Sequence, residues 1–131
     1  MTNRTIFDVR LSNGIVNLRK DYEMLSDNEF KNDYSMGYLD RIGFRAGTAT
    51  PFYFYDVSRE IQLSIKLTPI FATEKSLKYL NDSFPFEKLL RVYEKLPLST
   101  SVLTLALSNG FLDPGLKSNI LQKGFLDFIS D

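Results

Sequence analysis

Apolar and polar positions along this chain switch period several times, and each switch predicts an element. Residues 60–69, EIQLSIKLTP, alternate Ile61, Leu63, Ile65 and Leu67 against Gln62, Ser64 and Lys66, the period of a half-buried strand. Residues 5–11, TIFDVRL, alternate more loosely before the turn signal Ser12-Asn13-Gly14, which predicts a short strand and turn. Between residues 16 and 25, Leu18, Tyr22 and Leu25 recur at helical spacing, and Ser26-Asp27-Asn28 closes a short helix. Residues 41–46 carry Ile42 and Phe44 on one face between Gly43 and Gly47 and read as a strand with a tight exit, followed by the aromatic run FYFYD after Pro51.

The second half is more helical. Thr73 is placed to cap a helix over residues 74–80, and residues 86–96 set Leu89, Leu90 and Tyr93 on one stripe with Pro85 at the first turn. Residues 101–107, SVLTLAL, are an almost continuous apolar run, predicting a strand covered on both faces, and Asn109-Gly110 turns the chain. Residues 116–129 gather Leu116, Ile120, Leu121, Phe125, Phe128 and Ile129 near one helical face, a C-terminal helix expected to dock on the sheet. This order is α/β, with a short parallel sheet and flanking helices. No repeat or linker interrupts it, so residues 1–131 read as a single domain.

Composition narrows the chemistry. With 44% hydrophobic residues the chain can fill one core, and a domain of 131 residues buries roughly two thirds of its unfolded surface. Sixteen basic residues balance sixteen acidic ones, leaving no field to draw a polyanion or an anionic membrane, so neither nucleic acid nor membrane is an expected partner. The same neutrality weakens repulsion between copies and favours self-association. There is no cysteine, MTNRTIFDVR lacks the apolar stretch of a secretory signal, and no run approaches a membrane span, so a cytoplasmic location is expected.

Histidine is absent as well, which excludes Ser-His and Cys-His nucleophiles and removes the nitrogen and sulfur ligands of a transition-metal site. No metal and no cofactor is expected. Attention falls on residues 33–56, DYSMGYLDRIGFRAGTATPFYFYD. Arg45, flanked by Phe44 and Ala46, is either one half of a structural ion pair with Asp33, Asp40 or Asp56, or an arginine that holds a catalytic acid. Asp33, Asp56, Tyr53 and Tyr55 are the ligand-binding candidates, and the tyrosines serve either packing or stacking on sugar rings.

This run, followed by EIQLSIKLTP and SLKYL, resembles the C-terminal half of a Bacteroidota polysaccharide deacetylase-like family related to carbohydrate esterase family four, from about Leu18 to the C-terminus. The resemblance implies a distorted β/α barrel in which an aspartate and two histidines hold a divalent metal and a second aspartate activates water. Those groups come from N-terminal segments resembling "TFDDG" and "H-S/T-x-x-H", and neither occurs here. Arg45 in GFRAG matches the family arginine that orients the catalytic aspartate. Thr68 stands where histidine is usual, Glu74 where aspartate is usual, and Ser108 where the general-acid histidine is usual.

The expectation is therefore half of such a barrel, a non-catalytic remnant with a binding or assembly role, completed by a second copy or a partner protein across open strand edges. Two alternatives stay open: the C-terminal half of a split, metal-dependent N-deacetylase completed by a separate chain, and a carbohydrate-binding module. Residues 1–17 match nothing in the family, and the alternation of Ile6, Val9 and Leu11 suggests a cap over an exposed edge.

Overall fold

A computed structural model describes residues 5–11, 16–80, 85–97, 99–113 and 120–130. In chain order the elements are β1 (Asp8–Val9), α1 (Lys20–Asp27), β2 (Asn32–Asp33), β3 (Phe52–Asp56), β4 (Ile61–Leu67), β5 (Ala72–Thr73), α2 (Glu74–Tyr79), α3 (Pro85–Lys95), β6 (Leu105–Ala106) and α4 (Ile120–Ser130), with a 3₁₀ turn at Asn109–Leu112.

The strongest sequence pattern forms the longest strand. In β4, Leu63, Ile65 and Leu67 point into the core while Gln62, Ser64 and Lys66 are exposed. Each buried aliphatic side chain contributes about 1.5–3 kcal/mol. From α1, Tyr22 and Leu25, three residues apart, cover this face together with Val16 and Met36. The helix lies between β1 and β2 in sequence, as parallel neighbours require a crossover.

The four-stranded sheet has the order β1-β2-β4-β3, with β1, β2 and β4 parallel and β3 antiparallel to β4, so it is mixed rather than purely parallel. The ladder between β2 and β4 runs on past Leu67: Thr68 N donates to Asp33 O at 2.9 Å and Ile70 N to Met36 O at 2.8 Å. Phe71 N then donates to Thr104 O at 2.9 Å, opening the parallel pairing of β5 with β6. One extended stretch thus passes from β2 as its partner to β6.

A second core forms around Phe71, Leu77, Phe86, Leu89 and Phe111. Thr73 and Ser76 make a reciprocal capping box at the start of α2: Ser76 N donates to Thr73 Oγ1 at 3.1 Å and Thr73 N to Ser76 Oγ at 2.8 Å. On α3 the buried stripe is Phe86 and Leu89, with Val92 half-buried; Leu90 and Tyr93, expected on that stripe, are exposed. Phe125 of α4 packs on Phe86 at 5.8 Å and Phe111 at 5.7 Å, within a core that also takes in Ala72 of β5 and Leu105 of β6.

Residues 41–46 are not a strand. Gly43 and Gly47 adopt φ of 131° and 71°, outside extended geometry, and Gly47 N closes a turn onto Phe44 O at 2.9 Å. The strand expected over 101–107 is confined to Leu105–Ala106, and both residues are half-buried. The helix predicted from residue 16 begins at Lys20. The turn at Ser12–Gly14 and the helix start at Leu116 lie outside the described residues. No helix among the described residues is long and apolar enough to cross a membrane.

Candidate functional site

Parallel strands turn their carboxyl ends toward the loops that build sites in α/β folds. Asp33 ends β2, Glu74 directly follows β5, and Ser108 lies two residues past β6. Three of the residues singled out in the sequence therefore sit at such ends.

Asp33 is fully buried, and its carboxylate collects three donors. Tyr22 OH donates to Oδ2 at 3.1 Å, Ser35 N donates to the same oxygen at 3.1 Å, and Ser35 Oγ donates to Oδ1 at 2.5 Å. Ser35 Oγ in turn accepts from Leu11 N at 2.7 Å. One carboxylate thereby ties α1, β2 and the segment leaving β1. Burial raises its pKa above the ordinary aspartate value, against the pull of the hydrogen bonds from Ser35 and Tyr22. Both oxygens are taken and the group is closed to solvent, so Asp33 serves as a structural clamp.

Glu74 and Ser108 meet. Ser108 Oγ donates to Glu74 Oε2, Ser108 N donates to the same oxygen at 3.2 Å, and Lys78 Nζ donates to Oε1 at 2.6 Å. Lys78 first, then Ser108, hold the Glu74 carboxylate below its ordinary pKa. A carboxylate so stabilised is a weak base, and a serine hydroxyl that donates to it is not activated as a nucleophile.

Arg45 is exposed, on the turn that Phe44 anchors by packing its ring, tilted, on Phe71 at 4.8 Å and that Gly43 N ties to Phe71 O at 2.8 Å. Burial and then the Asp33 charge push the Tyr22 phenol pKa up, against a smaller opposing pull from the charge of Arg45. None of the three expected carboxylates pairs with it: Asp33 is held by Tyr22 and Ser35, Asp40 by Arg41 at 3.2 Å, and Asp56 by Arg59 at 3.1 Å. No ion pair of Arg45 occurs among the described residues.

Asp56 is buried and organises the β3–β4 turn, accepting from Ser58 N at 2.9 Å, Ser58 Oγ at 2.6 Å and Arg59 N at 3.3 Å. Arg59 also reaches Glu23 on α1, which ties hairpin to helix. Tyr53 and Tyr55 stand out from the hairpin, 49% and 52% exposed, while Phe54 turns inward onto Tyr22 at 4.6 Å. Thr68, half-buried, follows β4, and its backbone carries the ladder onward.

Tyr22, Ser35 and Lys78 are the site residues that the sequence reading did not pick out. Lys78, four residues after Glu74, is the recoverable one, because that spacing faces a lysine toward a glutamate on a helix. Tyr22 reads in sequence only as part of an apolar stripe.

Among the described residues, no three Asp, Glu, His or Cys side chains converge so as to hold a metal ion. The fold and site define a mixed α/β domain with a buried carboxylate clamp and a carboxylate–hydroxyl pair at the ends of parallel strands. No family model, curated protein or solved structure matches the chain.

Proposed function

We propose that this chain is a non-catalytic relative of the C-terminal part of polysaccharide deacetylase-like barrels and acts by binding or assembly. The observation that carries the reading is the contact between Glu74 and Ser108. The resemblance aligns these residues with an aspartate and a general-acid histidine, and here they are hydrogen-bonded partners. The pair keeps a neighbourly geometry while losing the imidazole that would deliver a proton near neutral pH.

The parallel run β1-β2-β4, continued by β5-β6, is the kind of arc that an incomplete barrel would have. Such an arc leaves strand edges for another chain to cover. The test is acetate release from an N-acetylated chitin oligomer with zinc, alongside light scattering with and without both additions. No acetate, together with a mass above that of the monomer, is the expected result; metal-dependent acetate release by the chain alone would overturn it.

A second reading has the chain as half of a split N-deacetylase, and Arg45 favours it. Its guanidinium is exposed and has no carboxylate among the described residues, as expected of an arginine whose aspartate arrives on another chain. Adding a chain that carries the missing Asp-His-His half should then produce metal-dependent acetate release that Arg45→Ala abolishes. The carbohydrate-binding reading rests on the exposure of Tyr53 and Tyr55, and a chitin oligomer should quench their fluorescence if it holds.

A further inference from the structure

The outer edge of β3 offers a more specific surface than the fold in general. β3 ends the sheet, bonded to β4 on one side only. At Ala49 the edge is occupied, because Val102 N donates to Ala49 O at 3.0 Å, but from Phe52 to Asp56 no backbone of a described residue hydrogen-bonds to it. Most of the usual protections of an edge are missing within the strand: FYFYD contains no lysine, arginine or proline, and its one charged residue, Asp56, stands at the end. Pro51 stands just before it, and the register shift opposite Tyr53–Tyr55 places the extra residues in β4, not in β3.

We infer that β3 pairs antiparallel with β3 of a second copy, centred on Phe54, so that Tyr53 of each copy lies against Tyr55 of the other. This inference deepens the assembly reading by naming the edge, the occupant and the register. A two-fold contact needs a self-complementary patch, and this register alone matches all five residues of the strand with one another. It joins the exposed tyrosines in two cross-strand aromatic pairs and lays Val57, 80% exposed, beside Pro51 of the other copy. Pro51 has no N–H, so the new ladder ends there. Charge does not oppose the contact, since the chain is neutral overall and Asp56, the one ionised group of the strand, is held by Arg59.

A five-residue ladder with two aromatic pairs falls short of the ~800 Å² per partner of a standard interface. The dimer is accordingly weak, with a dissociation constant on the order of 10–100 µM. Light scattering on the full chain between about 5 and 500 µM should show the mass rising from 15.1 kDa toward twice that value. The double variant Tyr53→Lys/Tyr55→Lys sets lysine against lysine and should weaken dimerisation at least ~10-fold. Its thermal midpoint should match the parent, because both side chains are exposed.

The absence of native cysteine permits a register test. A chain with Tyr53→Cys mixed with a chain with Tyr55→Cys should form a disulfide heterodimer under mild oxidation, faster than either alone, because only opposed residues come within disulfide reach. A dimer indifferent to the lysines, or cysteine variants that cross-link equally well alone, would overturn the β3 pairing and leave the assembly reading standing. A monomer at every concentration would overturn both.

Discussion

Asp33 is the residue whose replacement should cost most. Its carboxylate is the common acceptor for Tyr22 OH, Ser35 N and Ser35 Oγ, and through Ser35 it also positions Leu11. Asp33→Ala leaves these buried donors without an acceptor, at about 1–3 kcal/mol each, and relieves the cost of a desolvated charge. The net loss should be ~3–5 kcal/mol, a large part of the ~5–15 kcal/mol that holds a domain together. Asp33→Asn keeps the volume, but its amide NH₂ must face at least one of the existing donors, so a loss of ~2–3 kcal/mol is expected. In urea unfolding such a loss lowers the midpoint by ~1–2 M.

The pH dependence carries an independent signature. Burial raises the Asp33 pKa in the folded chain, so the folded state binds its proton more tightly than the unfolded state does. The Asp33 contribution is thus most favourable below the ordinary aspartate pKa and is lost as pH rises through the raised folded value. Measured against Asp33→Asn, the wild-type chain should therefore gain relative stability as pH falls from neutral into that window. Tyr22→Phe, which removes one donor, should cost ~1.5–3 kcal/mol, and less in the Asp33→Asn background. An Asp33→Asn chain within ~0.5 kcal/mol of the parent, with a difference that does not change with pH, would refute the clamp.

Four further substitutions test other parts of the structure by urea unfolding. Arg45→Ala should leave stability within about 0.5 kcal/mol, because the exposed guanidinium has no partner to lose among the described residues. Glu60→Gly should stabilise by ~0.5–1 kcal/mol, since Glu60 holds a φ of 53° at the hairpin turn. Ser76→Ala should cost ~1–2 kcal/mol by dismantling the buried capping box of α2. Glu74→Gln should cost ~0.5–1.5 kcal/mol at neutral pH. Because Lys78 and Ser108 lower the Glu74 pKa in the folded chain, the stability it supplies is present above the ordinary glutamate value and disappears as pH falls through the lowered one, a slope the variant should lack.

The elements most legible in the sequence are those whose local signal and tertiary role coincide. Alternation over 63–67 is dictated by a strand with one buried face, although Ile61, read as part of the same stripe, is exposed at the strand's start, and Thr73 marks a helix start whose hydrogen bonds are local. The aromatic run FYFYD, which the sequence marks only as too short for a helix, folds as strand β3. Residues 41–46 mislead because Ile42 and Phe44 are apolar for a different reason: as a turn, the segment inserts both side chains against the second core. The two glycines that looked like strand brackets provide the left-handed conformations that bend it. Likewise the stripe of α3 is shifted, because the helix packs through Phe86 and Leu89, and a run of adjacent leucines and tyrosines cannot say which side faces inward.

The site divides along the same line, between what is set by neighbours in sequence and what is set by folding. Ser35 lies two residues from Asp33 and Lys78 four from Glu74, so parts of both polar groups are written locally. Tyr22 to Asp33 and Ser108 to Glu74 are brought together only by the crossover of α1 and by the pairing of β5 with β6. In the sequence Glu74 and Ser108 are separate candidates, and the fold makes them one unit. Their replacement is then best understood as coupled: Glu74→Ala would remove the acceptor of both the Ser108 hydroxyl and its N–H, whereas Ser108→Ala would leave Glu74 with Lys78 and the backbone N–H of residue 108. The same contact joins the ends of β5 and β6 and, with Lys78, holds the Glu74 carboxylate as a weak base.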